Sequence, residues 1–156
     1  MQQIITFCSF APNLSIPQEP CKPDPNGPTT RIVNIIASKF NHPPIAVFIW
    51  PGSGNACATP GGPWFGDEFV YYDPDFLVRL RRQYGNAAVA GVLAHEVGHV
   101  VTGIRIPGYI FDWSDEMRAD YFSGYALAQL SQPIAPLIEF IRHELRLSDF
   151  KHADGF

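Results

Sequence analysis

No apolar run in this 156-residue chain approaches the ~20 residues that a bilayer-spanning helix needs, which excludes a helical membrane span. Positive charge is also scarce. Eleven Lys and Arg stand against fifteen Asp and Glu, for a formal charge of −4 and a pI of about 5.6, so no basic footprint for nucleic acid exists. Only Arg79, Arg81 and Arg82 cluster, and their spacing is that of a solvated helix face. Three cysteines are too few, and odd in number, for a full disulfide framework, although Cys8 and Cys21 flank a Pro-containing loop and can pair. Cys57 reads as a small buried hydrophobe. No Lys or Arg precedes the short Ile4–Cys8 apolar patch, so the N-terminus makes a poor export signal; cytoplasmic residence is the default expectation, with export left open.

What the chain has in excess early on is proline. Eleven of its fifteen prolines precede residue 64, and residues 1–30 read as a Pro-rich arm in front of one domain, 31–156. That length supports one hydrophobic core. Ile32, Ile35, Ile36 and Phe40 recur at helical intervals, predicting a helix over 31–40, while Ile45–Trp50 reads as a buried strand. Further strands near Ala56 and over 69–72, then helices over 75–84, 86 onward, 115–130 and after Pro133, predict an α+β fold with a short mixed sheet.

The richest segment is His95-Glu96-Val97-Gly98-His99. Side chains four apart on a helix stand on one face, so the two imidazoles can grip a single ion with Glu96 at its rim. Gly85 breaks the preceding segment, and Asn86 can cap Ala87–Ala94, a run apolar nearly all round and therefore buried. Two imidazoles and a carboxylate in such a helix need a compensating partner, and a divalent cation is the natural one. Gly103 and Pro107 end the helix. The next one brings Glu116 and Asp120, again four apart. If that face meets the first helix, Glu116 becomes the third ligand, with Asp112 or Asp115 as substitutes, and Asp120 accepts the free ring N–H of one histidine. One Zn2+ ion on His95, His99 and Glu116 keeps a fourth position for water and lowers its pKa to about 7, leaving Glu96 to act as general base and then acid.

HExxH followed by Glu116-x-x-Ala119-Asp120 resembles the gluzincin metallopeptidases, especially the CAAX prenyl protease and HtpX-like group and the small soluble minigluzincins. Asn55-Ala56-Cys57-Ala58, then Pro60-Gly61-Gly62 and Phe69–Tyr72, is similar to the segment that precedes HExxH in those enzymes, except that Cys57 stands where an aromatic is usual. The resemblance spans about residues 31–147. It implies a zincin-like domain in which an edge strand lies on the HExxH helix, Asn55 and Ala56 hold the substrate backbone, and the enzyme is a soluble endopeptidase. Peptide or protein would be the substrate. A basic residue after the glutamate helix, Arg142 or His143, is the implied oxyanion donor, with Tyr109, Tyr121 and Tyr125 as further candidates.

Two other classes fit parts of the pattern. A peptide-deformylase-like amidase would take Cys57 as third ligand, 38 residues before His95, but leaves Glu116-x-x-Ala-Asp120 without a role. A latent enzyme or a non-hydrolytic zinc-bound peptide-binding module would close the fourth position, for instance with Cys8 or Cys21 from the arm.

Overall fold

A computed structural model of the chain describes residues 21–62, 66–103 and 113–145. A two-residue strand β1 (Lys22–Pro23) leads into helix α1 (Pro28–Lys39), followed by strands β2 (Ala46–Ile49), β3 (Ala56–Gly62) and β4 (Gly66–Tyr72). Helices α2 (Pro74–Tyr84), α3 (Asn86–Thr102), α4 (Trp113–Gln129) and α5 (Ala135–Leu145) complete the described order. The fold is α+β, and its sheet is mixed.

The strands lie in the order β1-β2-β4-β3, with β2 parallel to β4 and the other neighbours antiparallel. Alternation gives each face its own cluster. Val47, Ala56, Ala58, Val70 and Tyr72 pack with the helices in the main core, whereas Trp50, Cys57 and Tyr71 form a separate cluster on the other face with Cys21, Phe48 and Phe69 against it.

Helix α1 begins three residues earlier than its apolar spacing suggests. Pro28 sits in its first turn, where a missing N–H costs nothing, and Thr29 and Thr30 are buried. Its inward face is Val33, Ile36 and Ala37, so the stripe is rotated from the expected one and Ile35 is 51% exposed. With β1 paired to β2, part of the stretch read as an arm belongs to the sheet.

Asp73 caps α2, its Oδ1 accepting from Asp75 N at 3.0 Å, while its Oδ2 accepts from Gly54 N at 2.8 Å and ties the β2–β3 turn to the helix. Arg79, Arg81 and Arg82 are exposed, as their spacing predicts. The cap of α3 differs from expectation: Gly85, not Asn86, is the N-cap, and no side chain caps it. Gly85 has φ 90°, a left-handed conformation open to glycine, and its N–H also closes α2 on Arg81 O. One residue thus ends one helix and starts the next.

Helix α3 is the central rod. Thirteen of its residues are buried, Ala87 to Val100 with only Ala90 omitted, and it packs on α1, α2, α4, α5, β3 and β4. It ends before Gly103, as expected.

Candidate metal centre

The site forms where α3 and α4 run antiparallel. His95 meets Asp120, His99 meets Glu116 and Gly91 meets Ser123, so numbering rises along one helix as it falls along the other. Two spacings of four residues, one per helix, therefore face each other across the interface. Its polar members are deeply buried: His95, Glu96, His99 and Glu116 are at most 6% exposed.

The Nε2 atoms of His95 and His99 lie 3.0 Å apart, with the rings nearly perpendicular at 84°. The carboxylate of Glu116 straddles them, Oε2 at 3.1 Å from His95 Nε2 and Oε1 at 3.6 Å from His99 Nε2. Ligands bound tetrahedrally at 2.0–2.2 Å would be separated by about 3.4 Å. The observed triangle fits that size. His95, His99 and Glu116 form the group able to hold a metal ion among the described residues.

Asp120 completes the assembly from outside the triangle. His95 Nδ1 donates to Asp120 Oδ1 at 2.8 Å, so that it is Nε2, turned toward Glu116 and His99, that would give up its proton to a metal ion. Burial opposes a charge on His95, but the hydrogen bonds of Asp120 and Glu116, with the charge of Glu96, outweigh it and push the imidazole up to about 10. Three carboxylates around two imidazoles make this a site that attracts positive charge. A divalent cation answers that demand with N and O donors already converged.

Packing explains why the sequence folds this way locally. Gly98, inside the histidine motif, lies against α4: a Cβ there would stand 3.0 Å from Ala119 Cα and 3.1 Å from Phe122 Cβ. Ser123 Oγ donates to Gly91 O at 2.7 Å across the same interface. Neither contact was among the sequence expectations; the glycine inside the histidine motif, Gly98, is the one trace of the close approach that the sequence carries.

The remaining candidates are placed as follows. Asp115 is buried and paired with Arg118, so it does not replace Glu116; Asp112 and Tyr109 lie outside the described residues. Asn55 is fully buried at the head of β3, its Oδ1 accepting from Ala56 N at 2.8 Å and its Nδ2 without a hydrogen-bond partner. Ala56 faces the core. Arg142 is exposed, and His143 packs its ring 6.3 Å from Tyr84, just before α3 begins and so at the opposite end of that helix from His99. Neither is brought to the triad. Tyr121 is 80% exposed, and Tyr125 stacks 5.7 Å from Phe40.

The cysteines depart from expectation most clearly. Cys57 is disulfide-bonded, and Cys21 is a free thiol, so Cys21 is not paired with Cys8, which lies outside the described residues. Cys57 sits on the outer sheet face with Trp50 and Tyr71, and a bonded sulfur there supplies no thiolate to the histidines. Cys21 packs on that same cluster, away from the triad. Among the described residues, no helix is long and apolar enough to cross a membrane. Comparison with protein-family models, with curated proteins and with solved structures finds no match.

Proposed function

We propose that this chain is a zinc-dependent endopeptidase whose ion is held by His95, His99 and Glu116. The observation that carries the reading is a buried triangle of three ligands among the described residues, with a second buried carboxylate on the adjoining residue Glu96. Structural zinc sites are closed by four protein ligands, whereas hydrolytic ones use three. Zinc in such a site supplies Lewis-acid polarisation of a carbonyl and acidified water at neutral pH.

The protein's own groups do the rest. Glu96 accepts the proton of the attacking water and returns it to the departing amine, so one carboxylate serves as base and then acid. Asp120 holds His95 in one tautomer and orientation. Strand β3 pairs only with β4 among the described strands, and its other edge can accept an extended peptide by main-chain hydrogen bonds. Asn55 and Ala56 shape the start of that edge. The Cys57 disulfide favours an oxidising compartment over the cytoplasm, because cytosolic thiols are kept reduced.

The test is hydrolysis of an unstructured protein such as casein by zinc-loaded wild type and Glu96→Gln. Wild type should cleave, and the variant should keep its zinc but lose about a hundredfold or more in rate. Equal cleavage by both, or none by zinc-loaded wild type, overturns the proposal.

A further inference from the structure

We propose that Gly98 is a positioning residue for the metal centre: its missing side chain sets the α3–α4 separation at which Glu116 reaches both histidines. The inference rests on the metal reading of the triad and adds to it a group that touches neither ion nor substrate. A Cβ on Gly98 would meet Ala119 Cα at 3.0 Å, Ala119 O at 3.2 Å and Phe122 Cβ at 3.1 Å. Two of these are backbone atoms and the third is fixed to backbone, so no rotamer change relieves the contact. The helices must part instead. Glu116 lies three residues from Ala119 on α4, one turn away, and His99 follows Gly98 directly on α3. Parting the helices therefore lengthens the Glu116–His99 separation, already the longest side of the triangle at 3.6 Å. Metal–ligand distances tolerate only about 0.2 Å.

Gly91 provides the contrast within the same helix. A Cβ there would meet the end of the Leu137 side chain, at 2.9 Å from Cδ1 and Cδ2, on α5 rather than α4. That strain falls away from Glu116.

Zinc and cadmium affinities are to be measured by chelator competition on wild type, Gly98→Ala and Gly91→Ala, alongside zinc-free thermal melts. Gly98→Ala should weaken zinc about tenfold to a hundredfold, the range for groups that orient metal ligands. It should weaken the larger cadmium ion less, shifting selectivity toward cadmium, which a general loss of stability would not do. Gly91→Ala should lower the melting temperature and leave both affinities unchanged. Should Gly98→Ala fail to fold, Ala119→Ser adds an atom to the fully buried residue of α4 that Gly98 lies against, and the same selectivity shift is expected of it. Unchanged zinc affinity in a folded Gly98→Ala, or equal weakening of both ions, overturns the positioning role alone. A wild type that binds no zinc overturns the metal reading with it.

Discussion

Replacing Asp120 by Asn probes the proposed metal centre without removing any of its three candidate ligands. The amide keeps the size of the carboxylate and an oxygen able to accept from His95 Nδ1, so the change removes mainly the negative charge from a 2.8 Å contact. His95 is 1% exposed, and water cannot replace that charge. Partners of this kind contribute about tenfold to a hundredfold in metal affinity. In free energy that is about 1.4–2.7 kcal/mol. The effect can be read as heat stability. At a hundred times the wild-type Kd, zinc stabilises the folded chain by about 2.7 kcal/mol, and with a tenfold weaker Kd by about 1.4 kcal/mol. For a chain of this length, where 1 kcal/mol moves Tm by about 2–4 °C, the zinc-induced rise falls from about 5–11 °C to about 3–6 °C. Scanning fluorimetry across a zinc titration measures it directly. An Asp120→Asn chain whose Tm rises as much as wild type at every zinc concentration refutes the reasoning.

Other outcomes follow from groups outside the site. Burial, then the hydrogen bond that Tyr72 donates to Asp24 at 2.7 Å, pushes the Tyr72 phenol up to about 12. An unfolded phenol ionises near 10, so between about pH 10 and 12 the unfolded chain binds fewer protons, and stability falls as pH rises through that window. Phenolate absorbance should show a late-titrating tyrosine that Tyr72→Phe removes; an unchanged alkaline limb contradicts the assignment. Phe140, 1% exposed and packed on Phe76 and Tyr84, should cost about 3–5 kcal/mol on truncation to Ala, measured by urea unfolding, and a loss below about 1 kcal/mol contradicts its place in the core. Alkylation of denatured, unreduced protein should label Cys21 and spare Cys57; label on Cys57 before reduction contradicts the disulfide.

The candidate site was legible in the sequence because its information is local. His95 and His99, and likewise Glu116 and Asp120, sit four apart on their own helices, a spacing that survives any tertiary arrangement, and the burial of α3 followed from its all-round apolar run. Whether the two faces meet is another matter. That depends on Gly98 against Ala119, a contact between residues distant in sequence with no periodic signature. The sheet shows the same limit: β2 and β4 were readable from β-branched and aromatic runs, but β1 was read as part of the arm, and the parallel pairing of β2 with β4 and the order β1-β2-β4-β3 depend on long-range packing. Cys57 misled for a related reason. A buried half-cystine and a buried free cysteine leave the same trace in sequence. Asn86 looked like a cap by residue type, yet the left-handed turn at Gly85 places the helix boundary one residue earlier.

The measurement that bears most directly on the centre is metal stoichiometry after zinc loading and removal of excess ion, compared between wild type, Glu116→Ala and Cys57→Ser. One zinc per chain in wild type and in Cys57→Ser, with most of it lost from a folded Glu116→Ala, is the result expected of an ion gripped by His95, His99 and Glu116. Zinc retained in full by Glu116→Ala, or no zinc in the wild-type chain, contradicts it.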